Sequence, residues 1–224
     1  MKYSPANAEL KYRVLLGGRD EIRGDLYIWR IPGKKPDLAC RKIALEGEAN
    51  EEMDPACSFW GYEISPQAFE LAKSRVNERL HFKLADIRQE DGSFDLILIV
   101  DMLEHLENCF SFLRDLKSKS EYKIISFVLD LSVESLLRPN ALLGFRSTRG
   151  HVGHVHYFTK DMALAMLEDL GYEVLDYFYT PRAISLADTL KKKILKLPRV
   201  LFFSIRKDLA VRVLGGYGLL VLAK

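Results

Sequence analysis

The chain has few cysteines, three in 224 residues. Cys40, Cys57 and Cys109 show neither a C-x-x-C pair nor zinc-ligand spacing. That excludes a disulfide scaffold and a zinc ribbon, and it fits reduced thiols in a cytoplasmic protein. Long apolar runs are missing too. No stretch of about 18 apolar residues occurs, so no membrane-spanning helix is expected, and MKYSPANAELKYR at the start has no apolar segment of the secretory kind. Charge of one sign is absent as well. With 33 basic and 31 acidic residues, no global field pulls the chain toward nucleic acid. No internal repeat is visible. What remains is a chain with 48% apolar residues, enough to bury a core of one domain or of one domain with an appendage.

Three regions follow from the pattern. Residues 1–55 form an atypical segment in which YRVLL (12–16) and DLYIWRI (25–31) read as short strands among turn signals. From 56 onward strand and helix signals alternate. CSFWGYEI (57–64) is a strand; Ser65 then stands as N-cap and Pro66 at the first helical position. Ala68, Leu71, Ala72 and Val76 supply an apolar helical face. LHFKLAD (80–86), DLILIV (95–100) and YKIISFVLD (122–130) are further strands. LENCFSFLRDLKSK (106–119) is a helix with Phe110, Leu113 and Leu116 on one side. TKDMALAMLEDLGY runs from Thr159 as N-cap to Gly171 just past the helix end. EVLDYFYT and GYGLLVLAK read as two last strands that pair antiparallel at one edge. Strands separated by helices of 10–15 residues imply a Rossmann-like α/β fold: a mostly parallel sheet with helices on both faces and an antiparallel edge strand at the C-terminus. The domain spans 56–224, with a basic helical insertion at about 182–214.

In such sheets ligands dock beyond the carboxyl ends of the strands. Three acids fall there: Glu63, Asp86 and Asp101. A carboxylate ending the second strand can accept from both hydroxyls of a ribose, and Asp86 can accept from an exocyclic amine of adenine. An acid in that place also serves nicotinamide-dependent oxidoreductases, but no G-x-G-x-x-G is present.

GYEISPQAFELAKSR, LADIRQEDGSFDLILIVDMLEHLEN and HVHYFTKDMALAMLEDLGYEVLDY together resemble the class I S-adenosylmethionine-dependent methyltransferases of small-molecule type. The resemblance covers about 56–180, with 215–224 as the last strand. It implies S-adenosylmethionine as cofactor, Glu63 and Ile64 at the ribose, Asp86 and Ile87 at the adenine, and Asp101 and Met102 on the methionine side. It also implies a small-molecule acceptor, or one linked to lipid or saccharide. The chain departs from the family at the glycine-rich loop after the first strand, whose backbone must approach the cofactor closely. KIALEGEANEE offers only Gly47, 16 positions before Glu63 (63 − 47). The pair Gly17 and Gly18 lies 45 positions before it (63 − 18). Weakened cofactor binding is therefore expected, and a catalytically inactive binding module is the alternative.

Methyl transfer to a hydroxyl is helped by a base. His105, beside Glu104, is the first candidate, and His156, which matches the late histidine of the resembled family, is the second. DMLEH also resembles a run with which some quinone-forming methyltransferases hold a divalent ion, through Asp101, Glu104 and His105. HVGHVHYF brings His151, His154 and His156 together, yet no nearby acid completes a ligand shell there, so no metal is assigned. In the insertion, Leu186, Leu190, Ile194 and Leu197 form a helical stripe beside Lys191, Lys192, Lys193 and Lys196. That pattern fits peripheral contact with an anionic membrane, a lid or a homodimer surface. It lacks the interleaved aromatics of a nucleic-acid platform.

Overall fold

The computed structural model describes residues 58–137, 150, 153–181 and 199–224, together with the backbone of three strands before them. Gly47, the KIAL segment, His151 and the stripe from Leu186 to Leu197 lie outside the described residues. The chain divides into two units, Met1–Ile97 and Leu98–Lys224.

In the first unit, β1 (Arg13–Leu16) and β2 (Gly24–Tyr27) pair antiparallel. Three strands then run parallel: β3 (Leu38–Cys40), β4 (Phe59–Glu63) and β5 (Leu80–Leu84). Their order is β5-β4-β3, followed by β6 (Phe94–Ile99). The strand beside β4 thus starts upstream of KIAL, at Leu38. From Cys40 to Phe59 there are 18 intervening residues (41–58), a length that suffices for a parallel crossover.

Helix α1 (Pro66–Lys73) links β4 to β5 and begins as its sequence dictates. Ser65 is extended (φ −84°, ψ 119°), its Oγ accepts from the Ala68 N–H, and Pro66 opens the helix. Its apolar face is narrower than expected. Ala72 is buried, whereas Leu71 and Val76 are exposed, Val76 because the helix has already ended. Asn77 then accepts from the N–H groups of Arg79 and Leu80, a side-chain turn that launches β5.

In the second unit the order is β6, β7 (Ser120–Val128), β9 (Gly218–Ala223), β8 (Val174–Thr180). The last two strands pair antiparallel at one edge, as expected, and the C-terminal strand is the inner one, also antiparallel to β7. All six β9 residues are buried, as a strand flanked on both sides requires. The fold is mixed α/β with a mostly parallel sheet.

Helices α2 (Cys109–Leu116), α3 (Val133–Leu137), α4 (Lys160–Asp169) and α5 (Lys207–Leu214) belong to this unit, and residues 199–205 are helical. Asn108 caps α2 and Thr159 caps α4 through their side-chain oxygens. The buried face of α2 is Cys109, Leu113 and Leu116, at spacings of four and three, while Phe110 is exposed, contrary to the sequence reading. Leu113, Leu116 and Leu167 are wholly buried, each contributing about 1.5–3 kcal/mol by leaving water. The Tyr172 hydroxyl donates to the Leu113 carbonyl at 2.6 Å, tying the end of α4 to α2. Gly171 closes α4 with φ +74°, where an L side chain is strained. Lys123, wholly buried on β7, donates to the carbonyls of Lys117 and Ser120. Burial, and then the nearby Lys117 charge, push its ammonium down to about 8.

Candidate active site

In the first unit, the sequence of β4 ends on a carboxylate. Glu63 is 7% exposed, and its Oε1 accepts from the Ser65 N–H at 2.9 Å. Its carbonyl accepts from the Ala85 N–H, fastening the ends of β4 and β5 to each other. Two apolar side chains lie exposed beside it, Ile64 at 59% and Leu84 at 49%. Leu84 is the register partner of Glu63. A buried carboxylate acceptor flanked by exposed aliphatic side chains is an arrangement that can accept from hydroxyls at the acid and cover a flat base on the aliphatics.

Asp86 follows β5 and caps the short 3₁₀ turn Ile87–Gln89. Its Oδ1 accepts from the Arg88 N–H at 2.9 Å, and its Oδ2 from the Arg88 guanidinium at 2.6 and 2.9 Å. An adenine amine would therefore share this carboxylate with Arg88. Ile87 is half-buried on the turn.

In the second unit, β6 runs out into Asp101, whose backbone is left-handed at φ +45°. That conformation is uncommon outside glycine and is concentrated at functional sites. The Ser126 hydroxyl on β7 lies 3.2 Å from Asp101 Oδ1 and donates to it. Met102 and Glu104 are buried, and Leu103–His105 form a single 3₁₀ turn.

Here the chain gathers residues far apart in sequence. The N–H groups of Val155 and His156 both donate to the Glu104 carbonyl, at 2.7 and 3.2 Å. His105 Nδ1 lies 3.2 Å from the Gly153 carbonyl, and Gly153 sits at φ +81°. His154 is nearly buried, and its Nδ1 lies 2.7 Å from Asp130 Oδ2, just past β7. The rings of His105 and His154 meet edge to face at 4.8 Å. Glu104 Oε1 stands 3.8 Å from His105 Nε2.

Among the sequence candidates, then, Glu104 and His105 fall in one cluster. Asp101 is turned to Ser126. His156 Nε2 lies 2.8 Å from the Leu106 carbonyl and 3.3 Å from that of Glu107, where it fastens two loops. From the sequence alone His154 has no acid partner; the fold brings Asp130 and Glu104 to it, and Asp130 was missed. The signal for Asp130 was present, since it ends the VLD strand as Glu63 ends its own. Cys109 is a buried free thiol, raised by burial and packed 4.0 Å from the Met166 sulfur. It is structural.

A mostly parallel α/β sheet with a carboxylate closing β4 agrees with the S-adenosylmethionine-dependent methyltransferase class. The sequence matches the family described as "Methyltransferase domain" over residues 45–177, more than half of the chain, and the chain belongs to that family. The match begins inside the segment read as atypical.

Solved structures share the fold. The cyclopropane synthase MmaA2 from Mycobacterium tuberculosis is 14% identical, with a TM-score of 0.58 over 86% of this chain and 80% of that one. Magnesium protoporphyrin IX methyltransferase from Synechocystis PCC 6803, solved with bound SAH, is 13% identical, with a TM-score of 0.51 over 84% and 73%. The N-methyltransferase NodS from Bradyrhizobium japonicum WM9, in complex with S-adenosyl-L-homocysteine, is 14% identical, with a TM-score of 0.50 over 84% and 77%. No curated protein matches the chain in sequence.

Proposed function

We propose that the chain transfers a methyl group from S-adenosylmethionine to an oxygen of a small-molecule acceptor, free or linked to lipid or saccharide. One observation carries this reading: the buried Glu63 carboxylate at the end of β4, flanked by exposed Ile64 and Leu84. Glu63 would accept from the ribose hydroxyls, Ile64 and Ile87 would cover the adenine, and Asp86 would accept from its amine. Asp101 and Met102 would stand on the methionine side, with Gly47 the one glycine in KIALEGEANEE, where the family has a glycine-rich run. When bound, the cofactor supplies a methyl group on a sulfonium, already activated for in-line displacement. The residues of the chain position and deprotonate the acceptor. His105 takes the hydroxyl proton on Nε2, since its Nδ1 donates to the Gly153 carbonyl. Glu104 beside it steadies the resulting positive charge.

With one glycine where the family has several, affinity falls below that of members with the full loop. Calorimetry with S-adenosylhomocysteine tests both statements. Glu63→Ala removes charge-assisted hydrogen bonds, each of about 1.5–3 kcal/mol, and weakens binding roughly tenfold to several hundredfold. Unchanged affinity in the variant contradicts the assignment of Glu63. Low-micromolar affinity in the wild type contradicts the impairment. A wild type that binds no S-adenosylhomocysteine favours the inactive binding module.

The same reading places the protein in the cytoplasm and against anionic membrane. Among the described residues no helix is long and apolar enough to cross a bilayer. Leu201 and Ile205, four apart on the helical stretch 199–205, are exposed next to Arg206 and Lys207, with exposed Leu209 on the helix that follows, a combination of apolar and basic side chains suited to an anionic interface. Sedimentation with vesicles containing about a third phosphatidylserine pulls the protein down at low salt and releases it at high salt. Equal binding to neutral vesicles, or none to either, contradicts the membrane contact.

A further inference from the structure

We propose that Glu104, His105 and His154 form a binding site for a divalent transition-metal ion of the zinc type. One donor atom from each lies within 4.8 Å of the others. Metal–ligand bonds of about 2.0–2.2 Å place tetrahedral ligands roughly 3.3 Å apart, so shifts of about an ångström close the set. Two imidazoles and one carboxylate are the donor set of open, three-ligand zinc sites, whose fourth position takes water or substrate.

The groups behind the ligands carry the inference further than proximity does. A carbonyl oxygen can only accept, so the Gly153 carbonyl fixes the proton of His105 on Nδ1. The Asp130 carboxylate does the same for His154 at 2.7 Å. With Nδ1 given to the oxygen behind it, Nε2 is the nitrogen of each ring that can serve as a ligand. Metal-binding histidines are oriented by this pattern, the far N–H given to a carboxylate or a backbone carbonyl. The backbone bonds from Val155 and His156 to the Glu104 carbonyl hold the two ligand-bearing segments against each other. Glu104 and His154 form a buried floor, and His105, one-third exposed, leaves an approach from solvent.

This set differs from the ligands the DMLEH run alone would offer. Asp101 is turned to Ser126, and the third ligand comes from a segment some fifty residues later. The ion's use in catalysis rests on the proposed function. Glu104, His105 and His154 would hold the ion, which would supply Lewis acidity to an oxygen ligand in its open position. His105 takes the acceptor proton only in the metal-free protein. With the ion bound, that proton would leave to solvent as the oxygen–methyl bond forms and the sulfur–methyl bond breaks.

The experiment uses the full chain, stripped with EDTA and titrated with Zn²⁺ by calorimetry, with Co²⁺ absorption reporting geometry and S-adenosylhomocysteine binding measured on the same samples. One Zn²⁺ per chain is expected, with tetrahedral Co²⁺ bands. His154→Ala, His105→Ala and Glu104→Gln each weaken it on the order of a hundredfold, and Asp130→Asn weakens it roughly 10–100-fold. His81→Ala, on β5 against Trp60, leaves it unchanged. Wild-type protein that takes up no stoichiometric Zn²⁺ overturns the site whatever the variants do, as does binding that survives in folded His105→Ala. Retained S-adenosylhomocysteine binding without Zn²⁺ removes the metal alone. Zn²⁺ without S-adenosylhomocysteine binding removes the methyltransferase reading alone.

Discussion

The rim of the first unit and the histidine cluster of the second are built in opposite ways. Glu63 accepts from Ser65, and Asp86 from Arg88, each two positions along the chain. His154 meets Asp130 across 24 positions, His105 meets Gly153 across 48, and His156 meets Leu106 across 50. The rim is therefore set by local chemistry at the start of a helix and of a turn, and it needs little beyond its own strands. The cluster exists only when the segment after α3 has docked back on the end of β6. A site of the first kind keeps its shape when packing loosens, and a site of the second kind loses it.

That contrast can be broken most forcefully at Leu113, which is wholly buried and accepts from Tyr172. Leu113→Ala lowers unfolding free energy by about 2–5 kcal/mol and disturbs the histidine cluster while sparing the rim. Urea unfolding gives the first result. Histidine NMR shifts give the second, and unmoved histidine signals would argue against it.

Ser65→Ala is the smaller, local counterpart. Loss of the cap costs about 0.5–2 kcal/mol. It should weaken S-adenosylhomocysteine binding by loosening the helix that follows Glu63, and leave the histidine signals in place. Movement of those signals would erase the distinction between the two regions.

Lys123 sharpens it through pH. Its folded pKa of about 8 lies below the ordinary 10.5, so between those values the unfolded chain binds more protons. Stability then rises with pH across that window, by up to about 1.4 kcal/mol per unit from this group. Lys123→Met lacks the gain. Between pH 7.5 and 10 the stability difference moves in favour of the wild type, read as the difference in urea midpoints, and a constant difference contradicts the burial of a strained ammonium.

The same contrast explains what the sequence disclosed. Ser65 and Pro66 mark the start of α1, Thr159 that of α4 and Gly171 its end, because caps are chosen by groups three or four residues away. The strand-end acid Glu63 was legible by the same locality. Leu71, Val76 and Phe110 were misplaced because which side of a helix is buried depends on what packs there. His156 was preferred to His154 because it matches the late histidine of the resembled family, while spacing puts both on one face; the fold shows that His156 meets a carbonyl and His154 meets Asp130. The strand Leu38–Cys40, which pairs in parallel with Phe59 and Trp60, was not singled out in the sequence, because three residues carry too little pattern of their own and long-range pairing selects them.

The central claim is that Glu63 ends β4 in order to hold the nucleoside of S-adenosylmethionine. Titration of S-adenosylhomocysteine into wild-type and Glu63→Ala protein, both shown folded by circular dichroism, tests it most directly. The account predicts one site per chain in the wild type, weaker than about 10 μM or −7 kcal/mol, and at least a tenfold loss in the variant. Equal affinity in the two proteins, or no binding to the folded wild type, would contradict it.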